Sequence, residues 1–293
     1  MSDDTPVPAG DFVADTQLTA DPQQPGRYRG AVSTAWQIVD VFGGMQMAVA
    51  LRPMFAALGR PELKLISATS TFVDRVPCGP VTVDVEVLRN GRRIAQVASR
   101  LRAGDSDQVA VHTQAVFGIE HDTDLGLQEV EFPVVSMPED IDPPEPPPDD
   151  FEDMWQHVNF HDQTDWRPAN GVAPWDPIYG KGPAKMCSWV RLVKDPLLAD
   201  GTYDPLVLAL HGDQIGSAVG QGLGPVGPYF TLSLEIGIRF ISAPTAPWVL
   251  QESEAWHVGD GYATGPLRLW GSDGRLLAIA TQTAFLAHRL PSI

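Results

Sequence analysis

Apolar residues at helical spacing run from Ile38 to Leu58 (Val41, Met45, Ala48, Leu51, Met54, Phe55, Leu58), and Gly59 follows as a stop signal. Arg27–Trp36 ahead of this helix reads as a strand. Behind it come four strand-like runs, Leu65–Asp74, Val81–Arg89, Ile94–Ala103 and Gln108–Ile119, with Asn90-Gly91 as a hairpin turn. The same order returns later in the chain. Ala184–Leu192 is strand-like and Pro205–Gly220 helix-like. Phe230–Ile241, Trp248–His257, Tyr262–Gly271 and Leu276–His288 are again strands, with Ser272-Asp273-Gly274 as the last turn. The resemblance extends to residues. Val109–Phe117 (VAVHTQAVF) matches Leu277–Phe285 (LAIATQTAF) at an offset of 168, and Phe72/Phe240, Val81/Val249, Gly91/Gly259 and Asp105/Asp273 fall on that offset without a gap. Fixed-period self-similarity marks repeated structure, and two copies suggest a fused pseudo-dimer.

Between the copies, Glu120–Asp153 carries an acidic, Pro-rich run with no periodicity, which predicts an extended linker. The organisation expected is a loose arm over 1–25, a first repeat over 26–120, a linker over 121–180 and a second repeat over 181–293. A helix and a one-faced antiparallel sheet must cover each other, so each repeat is an α+β unit with a curved sheet around a long helix. Two such sheets could join edge to edge and remove an exposed edge.

The net charge of −17 argues against nucleic acid or an anionic membrane as partner. Two cysteines, Cys78 and Cys187, make no disulfide framework, and the acidic N-terminus is unlike a signal peptide, so a reduced, cytoplasmic protein is expected. No run is apolar and long enough to span a membrane. Gly216, Gly220 and Gly222 fit G-x-x-x-G-x-G, but no lysine follows Lys194, so the downstream Tyr-x-x-x-Lys of a dinucleotide enzyme is missing. His157 and His161 lack the glutamate of a zincin helix. No metal or cofactor is expected.

Six segments carry a family resemblance: Phe42-Gly43-Gly44-Met45-Gln46, Phe132 with Pro143-Pro144-Glu145-Pro146, Trp189-Val190-Arg191-Leu192, Leu208–Asp213, Ser233–Phe240 and Thr281-Gln282. In order and spacing the chain resembles the double-hotdog, TesB-like acyl-CoA thioesterases over about residues 25–290. The resemblance implies a catalytic Asp213, Ser233 and Gln282, with Thr231 as a second candidate hydroxyl. Where the family often has an acid followed by His, this chain has Glu235-Ile236. It further implies hydrolysis of acyl-CoA, with homo-oligomers left open.

The residues themselves add an asymmetry. Asp213 has no acidic counterpart around Phe42-Gly43-Gly44, and Ser233 aligns with Leu65, whereas Gln114 aligns with Gln282. An Asp, a hydroxyl and a Gln therefore meet only in the second copy, and one site per chain is expected. Thioester hydrolysis needs an acceptor for a water proton and donors for the developing oxyanion. Asp213 would be the base, Ser233 and Gln282 would orient the water, and Gly43 and Gly44 are candidate backbone donors at a helix start. His211 is a candidate lining residue. The other readings are an acyl-CoA-binding protein without turnover and an enoyl-CoA hydratase or dehydratase. The latter's G-D-x-N-P-x-x-H-like run is not matched by Gly212-Asp213-Gln214-Ile215-Gly216-Ser217.

Overall fold

The computed structural model describes residues 9–121, 125–148, 151, 158–224 and 229–288 of the chain. His157 and residues 289–293 lie outside them. Its first half holds helix α1 (Phe12–Asp15) and strands β1 (Thr19–Ala20) and β2 (Arg27–Val32). Helix α2 (Gly43–Leu58) and strands β3 (Lys64–Phe72), β4 (Gly79–Asn90), β5 (Ile94–Ala103) and β6 (Val111–Gly118) follow. The second half holds β7 (Thr164–Asn170), β8 (Lys185–Leu192), α3 (Val207–His211), α4 (Ile215–Leu223) and β9 (Tyr229–Phe240). It ends with β10 (Val249–Glu254), β11 (His257–Gly259), β12 (Tyr262–Gly271) and β13 (Leu276–His288).

All strands belong to one antiparallel sheet in the order β1-β2-β4-β5-β6-β3-β9-β13-β12-β10-β8-β7, with β11 added to β12. The two halves meet where β3 pairs with β9. Thr69 faces Gly237 at that seam, a pair separated by the 168-residue offset of the sequence match. Ser67 faces Arg239 and Thr71 faces Glu235, so the pairing is symmetric about the Thr69–Gly237 pair. The edge that each sheet would otherwise expose is closed by the other.

Helix α2 is apolar nearly all round, the pattern of a helix buried on every side. Met45, Met47, Ala48, Val49, Ala50, Leu51 and Met54 have no exposed surface and pack against β4, β5 and β6. Gly59 ends the helix with left-handed backbone, and its N–H donates to Phe55 O at 3.1 Å.

The second half departs from the expected single helix over 205–220. It has two short helices, with Gly212–Gln214 between them. The reason is a side chain distant in sequence. The Ile215 N–H donates at 2.9 Å to Gln282 Oε1, so α4 begins there as a new helix. Arg52 of α2 reaches across to the buried Asp204, which also accepts from the Leu206 N–H at 3.0 Å in the turn ahead of α3.

The first 25 residues are not loose from Gly10 onward. Phe12 is buried edge-to-face against Trp36, the Trp36 Nε1–H donates to Asp15 Oδ2 at 2.7 Å, and the Gly10 N–H donates to Gln163 Oε1 at 2.7 Å. The stretch between the two halves is extended where it is Pro-rich, yet it is also packed. Phe132 lies on Trp189 and Trp270, Ser136 O accepts from Trp189 Nε1–H at 2.9 Å, and β7 pairs with β8. Pro168 is accommodated because β7 is an outer strand with an irregularity there.

Candidate active site

Asp213 stands in the break between α3 and α4, 93 % buried by the 7 % exposure it retains. Three donors reach its carboxylate. The Gly44 N–H, in the first turn of α2, donates to Oδ2 at 2.9 Å. Ser233 Oγ–H from β9 donates to Oδ1 at 2.7 Å, and Gln282 Nε2–H from β13 donates to the same oxygen at 2.5 Å. The Gln282 amide also lies 2.8 Å from Ser233 Oγ, which accepts from it. Its carbonyl is held by the Ile215 N–H. The structure thus brings together Asp213, Ser233, Gln282 and Gly44, from both halves of the chain.

Gly43 and Gly44 are neighbours of Asp213. A Cβ on Gly43 would collide with Asp213 Oδ2, and one on Gly44 would stand 2.5 Å from the Leu210 carbonyl oxygen. Gly43 leaves room for the Asp213 carboxylate, and Gly44 permits the close approach of α2 to α3. The Gly44 N–H is already used by the carboxylate, which removes it as a free oxyanion donor. Thr231, two residues before Ser233, lies beside Gly216 of α4 instead of on the carboxylate. His211 is 2 % exposed, with Gln251 Nε2 3.4 Å from its Nδ1 and donating to its carbonyl at 3.2 Å.

Burial pushes the Asp213 carboxyl above its ordinary range, opposed by the hydrogen bonds from Ser233, Gln282 and Gly44. Burial alone lowers His211 to about 4, which keeps the imidazole neutral. Burial, then Glu252 and Glu254, raises Cys187 to about 12, so it stays a thiol. Among the described residues no three His, Cys, Asp or Glu side chains gather as a metal set.

The strand register revises the alignment of the two halves. Gln282 pairs with Ile236, but the equivalent of Ile236 at the 168 offset, Ala68, pairs with Ala115 and not with Gln114. The turn joining β12 to β13 is effectively one residue shorter than that joining β5 to β6. Tyr262 faces Phe285, while Ile94 faces Gly118. A one-residue slip exchanges the faces of a strand. Gln282 is accordingly buried and Gln114 exposed, while Phe117 is buried and Phe285 is 39 % exposed. The matching Thr-Gln is therefore not a matching position. The first half has Ala115 and Leu65 where the second has Gln282 and Ser233, and α2 has no carboxylate at all.

Residues 32–118 match the family model of the acyl-CoA thioesterase N-terminal domain, and residues 138–286 match that of the acyl-CoA thioesterase C-terminal domain. The chain belongs to this acyl-CoA thioesterase family. It is similar to a putative thioesterase from Novosphingobium aromaticivorans, with 25% identity over 92% of this chain and 98% of that one and a TM-score of 0.72. The fold is also that of a hot dog protein of unknown function from Alicyclobacillus acidocaldarius, with 20% identity over 96% of this chain and 100% of that one and a TM-score of 0.76. An acyl-CoA thioesterase II, TesB2, from Mycobacterium marinum shares it too, with 22% identity over 96% and 99% of the chains and a TM-score of 0.68. No curated protein matches the chain.

Proposed function

We propose that this protein is an acyl-CoA thioesterase built as a double hotdog, with two repeats fused into one chain and one active site in the second. The observation that carries the reading is the buried Asp213 carboxylate with its three donors. A carboxylate offers about four lone-pair sites. Three are occupied, and the fourth takes a proton of the attacking water. Ser233 and Gln282 fill Oδ1 and Gly44 takes one side of Oδ2, so the free lone pair lies on Oδ2 and the three donors together fix its direction. A raised carboxyl pKa makes a stronger base, closer to the working pH.

The water oxygen bonds to the thioester carbon as its proton passes to Asp213. The carbonyl oxygen becomes an oxyanion at the start of α2, where the positive helix end and the Gly43 N–H favour it. Collapse breaks the carbon–sulfur bond, and the leaving thiolate takes the proton from Asp213. The products are free acid and coenzyme A, and the carboxylate is restored. Burial keeps both cysteines as thiols, Cys187 most strongly, which suits water rather than sulfur as the nucleophile.

The test is thiol release with Ellman's reagent over acyl-CoA substrates of graded chain length. We expect wild type to release thiol and Asp213→Asn to be slower by at least about 100-fold while remaining folded. Near-wild-type turnover in folded Asp213→Asn would remove the assignment. Saturable binding without thiol release would make the chain a binding protein, and a change in enoyl absorbance without thiol would make it a hydratase.

A further inference from the structure

Most of the described arginines in this acidic protein are paired with an acid. Among the described residues, Arg27, Arg29, Arg52, Arg60, Arg75, Arg100, Arg102, Arg167, Arg191, Arg268 and Arg275 each lie within ion-pair distance of a carboxylate. Arg89, Arg92, Arg93 and Arg239 do not, and three of these four crowd the β4–β5 hairpin. Together with Gly91 and Ile94 they line a concavity of about 290 Å³.

The hairpin is held from behind. Arg60, just past the end of α2, donates to Asn90 Oδ1 at 2.9 Å, to Gly91 O at 3.4 Å and to Arg92 O at 3.1 Å. The nearby acids are taken, Glu62 by Arg60 and Glu120 by Lys64. The matching turn of the second half, Gly259-Asp260-Gly261, carries an acid and no arginine.

We infer that the Asn90–Arg93 tip is a binding site for a phosphorylated anion. Three unpaired, exposed guanidiniums around a concavity on a pinned turn match the charge and the several oxygen acceptors of clustered phosphates. The two available sources are the nucleotide end of coenzyme A and a free nucleotide. The tip lies at the Lys64 end of β3 and the Asp213 network at its Phe72 end, roughly 26 Å of strand away. The inference therefore stands apart from the proposed chemistry and is read by binding.

Calorimetry should be run on the intact chain with coenzyme A, dephospho-coenzyme A, ADP and inorganic phosphate, on wild type, Asp213→Asn and Arg92→Glu/Arg93→Glu. We expect saturable binding of a phosphorylated ligand that weakens with salt and survives Asp213→Asn. In the double variant it should fall by at least about tenfold with the melting temperature unchanged. Preference for coenzyme A over ADP or the reverse identifies the source, and either upholds the site. Equal binding by the charge-reversed variant, or no saturable binding of any of the four ligands by wild type, would overturn it.

Discussion

At the residue scale, the strongest contrast is between two glutamines that share a sequence context and not an environment. Gln282 is buried with both ends of its amide bonded, and Gln114 is exposed. Gln282→Ala is expected to lower thiol release by about 100-fold, and Gln114→Ala to leave it within about twofold of wild type. Equal losses in steady-state kinetics would contradict the register argument. Asp213 and Ser233 were legible from the sequence as polar residues out of keeping with the other copy. The match of Gln114 to Gln282 does not hold in the sheet, because a shared Thr-Gln does not reveal that an intervening turn is one residue shorter in register. His211 supports a different prediction. Its folded pKa, about 4, is depressed from 6.5 by burial, so between those values the unfolded chain binds a proton that the folded chain does not. Stability is then full above about pH 6.5 and declines as pH falls toward 4. Melting curves across that window should show the decline in wild type and a shallower one in His211→Gln.

At the element scale, α2 is readable over Gly43–Leu58 because a helix apolar nearly all round, with a glycine stop, is buried on every side. The break between α3 and α4 was not readable, since it depends on a carboxamide 67 residues downstream taking the Ile215 N–H. The packing of α2 against α3 rests on the Gly44 approach at one end and the Arg52–Asp204 pair at the other. Arg52 also donates to Thr16 Oγ1 at 2.7 Å, which fastens the segment after α1 to the same point. Both partners of the pair are largely withdrawn from water, with side-chain exposures of 12% and 2%. Removing the cation leaves a buried, unpaired Asp204. Arg52→Ala is expected to cost about 3 kcal/mol in chemical denaturation, and a loss below about 1 kcal/mol would show that the pair matters little.

At the scale of the whole molecule, edge-to-edge joining of two sheets followed from the physics of exposed edges, and the β3–β9 seam realises it. The packing of the N-terminal segment and of the inter-repeat stretch did not follow. It turns on Phe12 meeting Trp36 and Phe132 meeting Trp189 and Trp270, contacts that no local pattern announces. Residues 1–120 expressed alone would present the bare β3 edge, so they are expected to associate through it. Light scattering should find dimers or larger species, and a stable monomer would show that the seam is dispensable. The seam has another consequence. Two identical subunits would receive every substitution twice, so a buried Phe117 in one would be a buried Phe117 in both. One continuous chain lifts that obligation. Leu65, Ala115 and Phe117 can stay apolar in one half while Ser233, Gln282 and Ala284 stand at the matching register of the other, and each half is free to change without asking the other to follow.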